Sequence, residues 1–154
     1  MQDIVAMANM GKVHPRFREV ARLPDSLLAD FEDVDPAFRI WLLAKRQALH
    51  DRLLHGLEAA MRAAPEDSPA QEEIAQAIMS IDATHEEACR SLIRLRARRG
   101  DFGGALRLYK SLWDLLDQEF DVEPSVETQQ LIVDVRNADA RRASGEPAGN
   151  VALL

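Results

Sequence analysis

Cys89 is the only cysteine in the sequence. An internal disulfide is therefore excluded, and so is a cysteine-based zinc site. A single thiol suits the reducing cytoplasm, which is where the chain is expected to work. Aromatic residues are only 5% of the chain, so aliphatic side chains have to fill its core. Runs of alternating Val, Ile, Thr or Tyr are missing, and with them the signal for β-strands. No apolar stretch approaches the ~20 residues that a transmembrane helix needs. Met1 to Pro15 have neither a basic start nor a continuous apolar run, so they do not read as a signal peptide. A Gly-rich phosphate loop, a Ser/His/Asp order and an H-E-x-x-H run are all absent. The sequence gives no reason to expect an enzyme, a cofactor or a small-molecule ligand.

What is present favours helices. The chain has 154 residues, and 47% are apolar, enough for the core of one domain. Ala, Leu, Glu, Arg and Gln dominate, all good helix formers. The formal net charge is −7, which argues against whole-chain attraction to nucleic acid. That charge is unevenly spread. Arg90, Arg94, Arg96, Arg98, Arg99, Arg107 and Lys110 share one span whose only acid is Asp101. Acids cluster before the centre, at Asp25 to Asp35, and after it, at Asp114 to Glu123.

Residues 1–35 carry weak signals. Asp3 to Met10 fit a short helix or the end of a strand, Arg16 to Leu23 a second short helix, and Ser26 to Phe31 one more turn, after an interruption at Pro24. Asp35-Pro36 is a strong start, an N-cap followed by proline at the first helical position. It predicts a helix to about Ala63, with Phe38, Trp41, Leu42, Leu49, Leu53, Leu57 and Met61 as one apolar stripe. Ser68-Pro69, with Gln71 closing a capping box, predicts a helix to Ile81 that buries Ile74, Ala77, Ile78 and Ile81. Thr84 and Glu87 form a second capping box, for a helix that buries Ala88, Leu92, Leu95 and Ile93 and stops at Gly100. Asp101 caps a helix from Phe102 to about Phe120, with Phe102, Ala105, Leu106, Tyr109, Leu112, Trp113 and Leu116 inward. Pro124-Ser125 begins the last helix, which carries Leu131, Ile132 and Val135. Periodicity ends after Asn137, and Ser144 to Gly149 read as a flexible tail. Short connections make successive helices antiparallel.

Gly100-Asp101-Phe102, followed by Ala105, Leu106 and Tyr109, resembles a tetratricopeptide (TPR) helix hairpin. A step of about 34 residues back puts Tyr109 on Ala75 and Leu112 on Ile78, a degenerate repeat. A wider resemblance covers about Leu27 to Val135. It rests on Asp35-Pro36-Ala37-Phe38 with Trp41-Leu42-Leu43, and on Asp82-Ala83-Thr84-His85-Glu86-Glu87-Ala88 with Leu92 and Leu95. Gly100-Asp101 with Ala105-Leu106 and Leu108-Tyr109 adds to it, and so does the closing run Glu119 to Thr128. In order and spacing these resemble the bacterial transcriptional activator domain (BTAD) found in SARP-type regulators. Ala83 stands where that family usually has Pro, and Asp121 where it usually has Gly.

The resemblance implies an all-α fold, with TPR-like antiparallel hairpins stacked in a right-handed α–α superhelix. It implies a role in transcription regulation as a module for protein–protein interaction or dimerisation. The expected organisation is an N-terminal segment or linker remnant at 1–26, the helical domain at 27–137 and a tail at 138–154. No space before residue 27 holds a winged helix, so DNA is expected to be contacted only indirectly. The expected partners are a protein, such as RNA polymerase or a winged-helix domain, or a second copy of the chain. Trp41, Leu42, Leu92, Gly100, Ala105, Tyr109, Trp113 and Pro124 are the expected scaffold.

Arg90, Arg94 and Arg98 fall at i, i+4 and i+8, a like-charged row that slightly destabilises its helix. Pairing with Glu86, Asp114 or Asp117 can offset that. The other reading is a contact surface of Arg90, Arg94, Arg98, Arg99, Arg107 and Lys110 for an acidic partner or a phosphate backbone. A TPR-like adaptor unrelated to transcription is a further alternative. His85 and Cys89 are one helical turn apart, a spacing that suits a metal. Without a second pair they read as structural. His50 and His55 are five residues apart and point to different faces.

Overall fold

The computed structural model describes residues 2–20, 23–27 and 35–144. Among these residues there are seven α-helices and no strand. They fall into two compact units, residues 1–83 and 84–154. The expected turn at Ser26–Phe31 lies mostly outside the described residues, as does the expected tail past Ser144.

In the first unit, α1 (Gln2–Asn9) buries Ile4, Val5 and Ala8 against α3 (Pro36–Ala63). The helical alternative for this segment is therefore the one adopted. The one-turn helix α2 (Arg16–Glu19) is tied to α4 (Pro69–Ile81) by an Arg18–Glu73 ion pair. A 3-10 turn at Leu23–Ser26 includes Pro24 and buries Leu23. Arg46 Nε donates to the Leu27 carbonyl at 2.9 Å and fixes this turn to α3.

The start of α3 is held by Asp35, whose Oδ2 accepts the N–H groups of Ala37 at 3.0 Å and Phe38 at 3.1 Å. Leu42, Leu49, Leu53, Leu57 and Met61 are its buried stripe. At α4 the Ser68 Oγ accepts from Gln71 N–H at 3.1 Å. The return bond closes one residue earlier than the capping box predicts. Gln71 Oε1 accepts from the Asp67 N–H at 2.9 Å, because Asp67 turns its amide inward at a left-handed φ of 58°. Ile74, Ala77, Ile78 and Ile81 are all buried as predicted.

The second unit is α5 (Glu86–Arg98), α6 (Phe102–Phe120) and α7 (Val126–Ala143). The N-cap of α5 is His85 rather than Thr84. Its Nδ1 accepts the Ala88 N–H at 3.2 Å, and an imidazole nitrogen does this as well as a hydroxyl. Gly100 at φ 78° ends the helix, and Asp101 Oδ1 caps α6 through the Gly104 N–H at 2.8 Å. Helix α7 continues past Asn137, where apolar periodicity stops, to Ala143. Glu86 touches Ser125 at the start of α7, and Gly100 touches Arg142 near its end. Helices α5 and α7 are thus parallel, with α6 antiparallel between them, and Cys89, Leu92, Ile93, Ala105, Leu112, Ile132 and Val135 fill the core.

Candidate functional site

The arginine span of the sequence separates into two environments at opposite ends of the second unit. Arg90 lies at the first end, against α7 rather than on an open face. Its Nη1 donates to Thr128 Oγ1 at 2.9 Å and Ser125 Oγ at 3.3 Å, and it lies 3.7 Å from Glu86 Oε2. The same Glu86 oxygen accepts the Ser125 N–H at 2.9 Å, the Ser125 hydroxyl at 2.5 Å and the Thr128 hydroxyl at 2.5 Å. Burial works against the Glu86 charge. The Ser125 and Thr128 hydroxyls, the Ser125 N–H and Arg90 outweigh it, and hold the carboxyl below its ordinary value. This cluster closes on itself and stabilises the α5–α7 contact.

Lys110 is also engaged, through a 2.7 Å ion pair with Asp114 one turn on. Arg94 is half-buried, and its Nε has no hydrogen-bond partner among the described residues. Arg98, Arg99 and Arg107 are exposed near the second end, at the α5–α6 turn. Two arginines outside the expected surface join them there. Arg96 Nη1 lies 3.3 Å from Asp101 Oδ2. Arg142 Nη1 donates to the Gly100 carbonyl at 3.1 Å, and its guanidinium lies 5.9 Å from the Phe102 ring centre. Arg142 is 42 residues from Gly100, so only the path of α6 brings them together.

Of the expected scaffold, Leu42, Leu92, Ala105 and Pro124 are buried. Tyr109 and Trp113 are half-buried and meet edge to face, 5.8 Å between centroids. Burial raises the Tyr109 hydroxyl above its usual value; Glu123 and Glu86 add to this and Arg136 opposes it. Trp41 is not in the core. It is 47% exposed and stacks on Phe38. Ile40 (71% exposed) and Leu43 (54%) extend an apolar surface along the first half of α3 that sequence reading did not single out.

His85 and Cys89 do not converge as ligands, because His85 turns its Nδ1 to the α5 cap. Cys89 is fully buried, and burial, helped by Glu86 and opposed by Arg90, pushes its thiol up to about 11. Among the described residues no three His, Cys, Asp or Glu side chains gather as a metal-binding group. No helix among them is long and apolar enough to cross a membrane.

Capped helix hairpins without a strand among the described residues define a TPR-like helical domain. The chain belongs to the bacterial transcriptional activator domain (BTAD) family, whose model matches residues 21–136, well over half of its length. No curated protein and no solved structure gives a significant match. Membership makes this a domain related to transcription activation, in a family that is regulatory rather than enzymatic.

Proposed function

We propose that this chain is a cytoplasmic interaction module of bacterial transcription regulation, and that it self-associates through the first half of α3. One observation carries the reading. Successive helical residues turn by about 100°, so Ala37, Ile40, Trp41, Ala44 and Ala48 share one arc, opposite the buried Leu42, Leu49 and Leu53. This second apolar face is exposed, although the helix already has a buried one. Exposed apolar faces of this kind mark contact surfaces.

A second copy suits the face because its large and small residues are self-complementary. An antiparallel pair of α3 helices centred on Ala44 sets Ile40 of one copy against Ala48 of the other. Ala44 then lies at the two-fold axis, where small side chains let helices approach. RNA polymerase or a winged-helix domain is the alternative occupant. Direct DNA contact through the whole Arg90–Lys110 span has less support, since Arg90 and Lys110 already have partners in the second unit.

Sedimentation equilibrium of the chain and of an Ile40→Glu variant tests the proposal. Self-association is expected in the first and its loss in the second, with helix content unchanged because Ile40 lies on the surface. Each copy carries net charge −7, so added salt should strengthen the association by screening repulsion. A chain that stays monomeric at all concentrations and salts would end the self-association reading.

A further inference from the structure

The turn between α5 and α6 is a seat for guanidinium groups, and two glycines, Gly100 and Gly104, make the space for them. A Cβ on Gly100 would lie 2.6 Å from Arg142 Nη1. One on Gly104 would lie 2.7 Å from Arg96 Nη1 and 2.0 Å from Asp101 Oδ2, and one on Gly103 would touch Arg107 Nη1 at 3.4 Å. Arginines from α5, α6 and α7 therefore lie directly on the backbone of one short segment, Gly100 to Gly104. The charge is not balanced there. Arg96 has Asp101, but Asp101 also caps α6. Arg142 is held by a neutral carbonyl and an aromatic ring, and Arg107 has no ion pair among the described residues. A cleft of about 370 Å³ opens at this corner, lined by Gly100, Asp101, Phe102, Gly103, Asp139 and Arg142.

We propose that this corner docks an acidic peptide segment of a partner protein, with carboxylates on Arg107 and Arg142 and an apolar side chain against Phe102. Three arginines, Arg96, Arg107 and Arg142, meet only two acids here, Asp101 and Asp139, and an incoming carboxylate matches the surplus positive charge. The lining favours a peptide over a nucleic acid. Asp101 and Asp139 sit among the arginines and would face a phosphate backbone with like charge. A peptide brings backbone N–H donors that can meet them, which a phosphate backbone lacks. The net charge of −7 also opposes approach to a polyanion as long as DNA. This site lies in the second unit and does not depend on self-association through α3.

The test is fluorescence anisotropy with a short labelled peptide alternating Glu and Leu, titrated with the whole chain at low and high salt. Binding that weakens with salt is expected. An Arg107→Glu/Arg142→Glu double variant should weaken it about tenfold or more. A charge-matched Arg52→Glu/Arg62→Glu variant, altered on α3, should bind as the unaltered chain does. Helix content checks that both variants fold. No binding at low salt, or equal loss in the two variants, would overturn the proposal. Tighter capture of a random DNA duplex, abolished by the Arg107/Arg142 change, would also overturn it and make the corner a phosphate surface.

Discussion

The Glu86 carboxylate at the start of α5 binds Ser125 twice, through the backbone N–H at 2.9 Å and the hydroxyl at 2.5 Å. Ser125 is the N-cap of α7, yet its hydroxyl makes no cap bond within its own helix. The cap comes instead from a helix 39 positions earlier, and its negative charge suits the N-terminal dipole of α7. A tertiary contact and a helix cap are here the same bond, so packing and local structure fail or hold together.

A Glu86→Gln variant should therefore lose about 1–2 kcal/mol, since it removes charge-assisted bonds and leaves Arg90 half-buried without its carboxylate. Urea denaturation at neutral pH measures the loss. The sign of its pH dependence follows from the depressed acidity of Glu86. The carboxylate contributes fully above the ordinary value of 4.5 and progressively less as pH falls through the lower folded value. The gap between the two proteins should close in that acid range. A gap that stays constant across it would mean that the charge contributes nothing.

Asp121 ends α6 with a φ of 55°, the left-handed conformation that glycine adopts most easily. Asp121→Gly should raise stability by about 0.5–1 kcal/mol by removing the Cβ clash of that conformation. Thermal melts of the two proteins check this. A lower melting point would mean that the Asp121 side chain does more for the turn than its backbone strain takes away.

The helix boundaries were legible because each strong start pairs a cap with a period. Asp35-Pro36, Ser68-Pro69 and Asp101 all begin helices where the residues say. The cap of α5 shifts by one residue because Thr84 and His85 both carry an acceptor, and sequence does not rank them. Trp41 departs from the apolar stripe for a related reason. It sits one position, or about 100°, from Leu42, and the α3 stripe keeps Leu42 and turns Trp41 out. The arginine corner was half legible. Arg99 and Arg107 are near each other in sequence, whereas Arg142 reaches the Gly100 turn only because α7 runs parallel to α5. The engagement of Arg90 depends on the same topology.

Cys89 should resist thiol reagents in the folded protein. It is fully buried, and its thiol is pushed up to about 11, so both access and thiolate are lacking at neutral pH. Labelling with a chromogenic disulfide should be very slow in buffer and immediate in denaturant. Fast labelling of the native chain would show that the α5–α6 core opens readily.

Gly100→Ala separates the two roles of the α5–α6 turn. At φ 78° any Cβ is strained, which should lower stability by about 1 kcal/mol. The new methyl would also clash with Arg142 Nη1 at 2.6 Å. Arg142 is long and exposed, so it should swing clear rather than break the helix. If the corner binds acidic peptide as proposed, Gly100→Ala should lower both melting temperature and peptide affinity. Arg142→Ala should lower the affinity and leave the melting temperature nearly unchanged. The pair of measurements distinguishes a glycine kept for the turn from one that also seats a guanidinium. Lost stability with full affinity in Gly100→Ala would assign it to the turn alone.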